Sequence, residues 1–470
     1  MSVPSEVAKT LLANTNAMRE LYHPDVQELH DRVGSNVNKL LRPSKRPIDG
    51  DGVTVQVQDR NIYAARYGRS INGDFPDPGA IGHQKYKVRI SEDDSENDVG
   101  RLSTSVSHSD LDVQRVSAGG KSAVDNWVEQ NFQQAVADLK EQEAKHQFLD
   151  TTGLIGEVNG TAVKNDRALV SECAALASTG GARFKVKTGS LAYFQRNMKL
   201  DVYNGGTFRF SVYVTDINPR DLSVGVYGYD AAGNPSTSVD ISALADGDDI
   251  YISGEKDRAP IGIGSWMTRP TAATGDSFFQ KNREDPDYRW MVPHFSGPTS
   301  EEAFALAHLD AAAIEAQYLT EDAENGLLCM ARPEIIETWK RLVGNEIMIQ
   351  YPTDAEKGKV LASYGFDGAI YRHETFGRLM LRGVALMPEK KIWMVQPGTW
   401  EMLHALRREK IRWMEGMVGI YYRMTSPSNN GSLTTYWRAD GYTLHAVICS
   451  LPKRNLVIEK IRPTATVSAA

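Results

Sequence analysis

Few residue groups in this 470-residue chain could do chemistry, and each stops short of a working set. Arg372-His-Glu374 puts a histidine beside a carboxylate, but a helical zinc site needs a second histidine one turn away and none is there. The ten histidines show no ligand grouping. Asp49-Gly-Asp-Gly52 and Asp246-Gly-Asp-Asp249 begin like calcium loops, yet both lack the bidentate glutamate at the twelfth position, so they read as acidic turns. Gly262-Ile-Gly264 lacks the third glycine of a dinucleotide loop and opens no helical pattern. No Walker loop and no Gly-x-Ser-x-Gly elbow is present. The acid pairs Asp93-Asp94 and Glu301-Glu302 read as loop and helix-start charges, because paired carboxylates do acid–base work only where a cleft drives their pKa values apart. Asn159-Gly-Thr and Asn430-Gly-Ser fit a glycosylation pattern but are more simply turns. Eight tryptophans and nineteen tyrosines are spread over every segment, as core and contact anchors are, rather than gathered into one stacking surface. These absences predict no catalytic residues, no metal and no cofactor.

Bulk properties point the same way. The length exceeds what one core usually serves, so two to four structural units are expected. Cys173, Cys329 and Cys449 are odd in number and far apart, which predicts buried, reduced packing residues. No apolar run is long enough to span a membrane, and the first residues lack the continuous apolar core of a secretory signal, so synthesis in a cytoplasm is expected. The net charge of −7 is distributed unevenly: residues 200–331 carry 8 basic against 21 acidic side chains, and residues 332–470 carry 20 against 13. Copies packed side by side could match one region against the other; solvated faces would look the same.

The positioning elements carry more information than the reactive groups. Residues 1–50 read as an arm: two short helical patterns (Val7, Leu11, Leu12 and Met18, Leu21, Tyr22), then a basic cluster of Lys39, Arg42, Lys45 and Arg46 that could meet a neighbour or a polyanion. Residues 51–115 read as an extended flap. Its legs, Val53-Thr-Val-Gln-Val57 and Lys85-Tyr-Lys-Val-Arg-Ile90, alternate apolar and polar residues, and Gly68, Gly73, Pro76, Pro78, Gly79 and Gly82 turn the chain between them. A lone two-stranded ribbon is marginal in water. The expectation is therefore that its apolar residues, Val53, Val55, Val57, Tyr63, Tyr67, Phe75, Tyr86, Val88 and Ile90, are covered by another copy of the protein.

From Ser117 to Phe148 the spacing of Val124, Trp127, Val128, Phe132, Val136 and Leu139 predicts one long helix, on the order of 40 Å, within a unit at 116–183. Short alternating strands separated by Asn204-Gly-Gly, Asn218-Pro and Ala232-Gly-Asn-Pro predict a small β-barrel or sandwich at 184–256. Beyond it, a capping-box pattern at Thr299-Ser-Glu-Glu302 predicts a helix to Tyr318, Pro333 opens another that ends at Gly344, and Thr399–Leu406 reads as a third. Gly383-Val-Ala-Leu-Met-Pro388, Tyr442–Ser450 and Asn455–Ile461 supply sheet.

The order of these parts (arm, flap, long helix, β-insert, mixed domain, returning strands) resembles the tailed-phage major capsid proteins of the Hong Kong ninety-seven type. The more telling stretches are Arg332-Pro-Glu-Ile-Ile-Glu-Thr-Trp339, Gly365-Phe-Asp-Gly-Ala-Ile370, Gly383–Pro388 and Thr399-Trp-Glu-Met-Leu403. The resemblance implies an α+β phage major-capsid fold with N-terminal arm, extended β-hairpin loop, long spine helix, axial domain and an inserted small β-barrel. It places the peripheral domain's spine from Ser117, an axial domain at 257–429, and strands returning to the peripheral domain at 430–470. It further implies assembly into hexamers and pentamers that close an icosahedral shell around double-stranded DNA, with portal, scaffolding and decoration proteins as partners and the virion as location. Some members join flap lysines to a neighbour's asparagine; Lys85 and Lys87 are available, but ordinary non-covalent contacts are assumed. The rival readings are a cellular encapsulating compartment of the same fold class, and a carbohydrate-binding protein or hydrolase built on the β-insert.

Overall fold

The computed structural model describes residues 41–46, 52–57, 85–90, 98–109, 121–164, 182–189, 191–218, 222–228, 244–270, 278–319, 327–343, 368–373, 377–405, 411–415, 417, 420–427 and 433–463. The chain divides into two units, each built from separated segments. The first takes 1–39, 100–262 and 404–446; the second takes 40–99, 263–403 and 447–470.

In the first unit, helix α1 (Lys121–His146) is 26 residues long, about 39 Å at the usual rise per residue. Val136 and Leu139, two of the predicted apolar positions, are buried on it. The side chains of Val124, Trp127, Val128 and Phe132 lie outside the described set. The helix packs on the strand Gly100–Ser109, whose Leu102, Val106 and His108 alternate inward with exposed Arg101, Ser103, Ser105 and Ser107. That strand runs antiparallel to Leu433–Cys449, with Ala439 opposite Val106 and Tyr442 opposite Ser103. Tyr421–Pro427 and Arg412–Trp413 pair with the same long strand.

The predicted β module is a closed six-stranded barrel, and it begins earlier than the sequence suggested. Leu154–Lys164 is one of its staves, joining Ala182–Gly189, Ser223–Gly228, Thr207–Asn218, Lys199–Asn204 and Asp249–Ile252. The spacing at 154–164 hides this, because the ladder shifts register between Asn159 and Val163 and interrupts the two-residue alternation. Ile155, Val158, Phe184, Leu200, Val202, Val212, Val214, Val224, Val226 and Ile250 are buried in this barrel.

The second unit is a mixed six-stranded sheet in the order His294–Ser296, Leu456–Glu459, Lys391–Val395, Leu327–Ala331, Gly377–Gly383, Gly368–His373. Helices α2 (Leu306–Leu319) and α3 (Pro333–Val343) cover it, burying Leu309, Ala312, Ala313, Ile335, Ile336 and Trp339 against Leu327, Cys329, Leu379, Leu381, Met394, Leu456 and Ile458.

Three local expectations fail here for identifiable reasons. Glu302 does not cap a helix: Glu302–Ala303 is a strand parallel to Ile461–Arg462, and Glu302's amide donates to the Lys460 carbonyl. Helix α2 starts at Leu306, where the His308 ring accepts from the Ala305 amide. Trp400–His404 is a strand, not a helix; Trp400 and Met402 turn inward, and the backbone pairs with Arg42–Pro43. Long-range pairing overrides helix propensity there. After Gly383 the segment to Pro388 leaves the sheet as a turn held by Arg332, whose guanidinium donates to the Met387 carbonyl at 2.9 Å and to Glu389 at 2.9 Å. Gly344 and 365–367 lie outside the described residues.

Candidate functional site

Among the described residues, the chemistry-bearing side chains do not converge. No group of three or more His, Cys, Asp or Glu side chains with metal-holding geometry occurs among the described residues. Cys329 and Cys449 are buried, and desolvation pushes both thiols up to about 12, so each stays protonated and unreactive at neutral pH. Cys173 lies outside the described residues. Asp248 in the Asp246–Asp249 turn is wholly buried and fully used: it accepts from Asn204 (2.7 Å), Arg209 (2.7 Å) and the Ala245 amide (2.8 Å). Gly262-Ile-Gly264 does lead into helix, the single turn Ile263–Trp266. Gly262 is needed there for close approach, since a Cβ would sit 2.6 Å from the His146 carbonyl oxygen.

The feature that does assemble is the root of the flap, within the second unit. The two predicted legs, Gly52–Gln56 and Lys85–Arg89, pair antiparallel, with Val53 opposite Val88 and Val55 opposite Tyr86. Alternation sends Val53, Val55, Tyr86 and Val88 to one face, and all four are buried. The expectation that a second copy must cover them is corrected at this point: all four are buried within the single chain, and Tyr86 packs on the chain's own aromatic side chains. Tyr86 lies 4.9 Å from Phe279, 5.5 Å from Trp266 and 6.3 Å from Trp290, centroid to centroid. Trp266 continues the cluster edge-on to Phe278 at 4.7 Å and to Trp400 at 6.3 Å. Each such pair adds about 0.5–1.5 kcal/mol beyond its area burial.

Polar groups lock the cluster. The Tyr86 hydroxyl donates to the Cys449 carbonyl and accepts from the Cys449 amide, both at 3.1 Å. Burial holds the phenol well above its ordinary range, so the proton this bridge requires is always present. The Trp266 indole donates to the Val447 carbonyl at 2.9 Å. Asn455 accepts from the Gln396 amide (3.0 Å) and the Trp400 indole (3.2 Å), and donates to the Leu451 and Pro452 carbonyls (3.0 and 3.1 Å). The arm's end is tied to the same unit. Arg42 and Pro43 pair parallel with Glu401 and Met402, Ser44 donates its amide to the Met402 carbonyl at 2.8 Å, and Arg46 binds Glu401 with both prongs at 3.1 and 3.2 Å.

The basic cluster is thereby divided. Arg46 has an intrachain partner, Lys45 is exposed, and Lys39 and the Arg42 side chain lie outside the described set. Val57 and Ile90, at the ends of the legs, are half-buried, and Tyr63, Tyr67 and Phe75 lie outside the described residues. Sequence reasoning missed Trp266, Phe278, Phe279 and Trp290. The signal was present as five large aromatics from residue 266 to residue 290, these four and Tyr288, in a stretch without strand or helix periodicity. Tyr86 and Cys449 both stay protonated at neutral pH, so this cluster's capability is mechanical: it holds the two strands that flank residues 58–84.

No family model and no curated protein matches the chain. Among solved structures, it is similar to the capsid asymmetric unit of cyanophage A-1(L), at 10% identity over 91% of this chain and 93% of that one, with a TM-score of 0.43. A chain of Mycobacterium phage Patience is 9% identical over 98% of this chain and 91% of that one, at 0.33. A virus-like particle from Pyrococcus furiosus is 8% identical over 93% and 100%, at 0.32. At these scores the likeness carries no argument, and the functional reading rests on the chain's own elements.

Proposed function

We propose that this protein is the major structural subunit of a phage-type capsid, with no catalytic role. It would assemble as hexamers and pentamers into an icosahedral virion shell around double-stranded DNA. The observation that carries the reading is the rooted ribbon. Two strands are pinned at their base by Tyr86 and an aromatic cluster, and the sequence between them, residues 58–84, is rich in turn residues with Tyr63, Tyr67 and Phe75 among them. A segment aimed by a fixed root loses less entropy when it meets a neighbour. Many modest contacts of this kind add through ring and shell closure. Arm residues before Leu41, with Lys39, would supply further reach, and Lys45 would be free to meet a neighbour or DNA phosphates. Helix α1 would serve as the spine and the barrel as an accessory module. Portal, scaffolding and decoration proteins are the partners such a shell requires, and host cytoplasm is where it would be built.

The test is replacement of residues 58–84 by a short Gly-Asn turn, leaving both legs in place. The expected product is a soluble, folded subunit that forms no shells by electron microscopy, whereas the full chain forms uniform icosahedral particles. Normal shells from the shortened chain would overturn the role given to this segment. Particles of the full chain that enclose a protein cargo instead of DNA would favour the encapsulating compartment.

A further inference from the structure

The C-terminal end of α1 buries several charged side chains, while Asp138 and Glu141 stay exposed. Lys140, Glu143, Lys145, His146 and Gln147 are each no more than 5% exposed. Most of this charge is neutralised along the helix: Lys140 pairs with Glu143 at 3.0 Å and Lys145 with Glu141 at 3.1 Å. His146 is the exception, because its partner comes from another element. Its Nε2 lies 2.7 Å from Glu255 Oε2, and its Nδ1 lies 2.7 Å from the Gln142 carbonyl oxygen. A carboxylate and a carbonyl only accept, so both ring nitrogens must donate and the ring is an imidazolium. Glu255 is held in a turn that closes the last barrel strand. Its amide donates to the Ile252 carbonyl, the Arg258 amide donates to its carbonyl, and the Gly254 amide donates to Asp201. These bonds tie the Glu255 backbone to the barrel, while the ring sits at the last residue of α1.

We propose that the His146–Glu255 pair is a proton-operated latch between the long helix and the barrel, closed when the ring is charged and released when it is neutral. A neutral imidazole keeps one N–H, so either Glu255 or the Gln142 carbonyl would face a lone pair in a buried site. The charged groups facing the ring are Glu255 from the barrel turn, which favours the cation, and Lys145 from its own helix, which opposes it. Burial also opposes the cation, but the Glu255 contact and the Gln142 carbonyl outweigh both, and the ring titrates above its ordinary value. A group whose folded pKa is raised contributes stability that is fully present below its unfolded pKa, about 6.5, and is lost as pH rises through the folded value. The latch therefore holds at mildly acidic pH and weakens toward alkaline pH. This inference is independent of the shell reading.

Hydrogen exchange read by mass spectrometry on the full chain, from pH 6 to pH 9 and corrected for intrinsic rates, tests it. Protection of residues 253–258 and of the end of α1 should fall roughly tenfold more across this range in the native chain than in Glu255→Gln, which keeps an acceptor but loses the charge. The same slope in both proteins would overturn the latch. Should the variant fail to fold, imidazole C2–H exchange in the native chain reads the His146 titration directly. A midpoint above about 6.5 supports the proposal, and one at or below it overturns the proposal.

Discussion

Removing one oxygen from Tyr86 isolates its hydroxyl bridge from its ring packing. Tyr86→Phe keeps the contacts with Trp266, Phe279 and Trp290 but leaves the buried Cys449 amide and carbonyl without the hydroxyl that bridges them. Orphaning buried polar groups costs about 1–3 kcal/mol. Equilibrium denaturation should show a loss of that size, and an unchanged midpoint would mean the bridge contributes nothing. Arg46→Ala should cost less than about 1 kcal/mol, because both partners of its bidentate pair keep roughly a quarter of their side-chain surface in water. The thiols allow a simpler check. With pKa values raised to about 12, Cys329 and Cys449 should resist a thiol reagent at pH 8 in the folded chain and react at once in denaturant. Rapid labelling of either residue under native conditions would contradict the burial described.

At the scale of elements, the root of the flap belongs to the core of the second unit. Deleting residues 52–90 should unfold the second unit, because Val53, Val55, Tyr86 and Val88 complete its packing. Cutting only 58–84 should leave its melting temperature within a few degrees of the full chain. Circular dichroism melts of the two deletions separate these outcomes. The crossing at Gly262 gives a second handle. A Cβ there would lie 2.6 Å from the His146 carbonyl and 2.9 Å from Gln147 Cα, both backbone atoms that cannot swing aside. Gly262→Ala should destabilise the chain by about 1–3 kcal/mol, read by urea unfolding, through forced separation of the packed segments. The strand Trp400–His404 shows why element type was misread from local pattern. Trp, Met and Leu suit a helix as well as a strand, and long-range pairing, with Arg42–Pro43 on one side and the strand Leu433–Cys449 on the other, decides between them.

For the whole molecule, the two units recruit residues from distant stretches, so each needs nearly the full chain before its core can close. The second unit takes its sheet from residues 294–459 and its flap root from residues 52–89. Contacts of such sequence separation slow folding. Refolding from denaturant should therefore be slow, on the order of seconds, and a fragment ending at residue 446 should lack a folded second unit, since it loses Leu456–Glu459 from the middle of the sheet. Stopped-flow fluorescence and limited proteolysis of that fragment would check both expectations.

Local periodicity determined much by itself. It marked the ribbon legs, the long helix with Val136 and Leu139 inward, the existence of a β module, and the helix from Pro333, because each depends on side-chain spacing within one segment. It also showed that no familiar catalytic or metal-binding motif is written in the chain. Only the tertiary structure decided what covers the ribbon. The same alternation that exposes a need for burial says nothing about who meets it, and Trp266, Phe279 and Trp290 sit some two hundred residues away in sequence, in short turns without a period of their own. It decided likewise that the barrel begins at Leu154, that Arg46 is tied to Glu401, and that His146 meets Glu255. Each of these is a pairing across distance, which short-range spacing cannot encode.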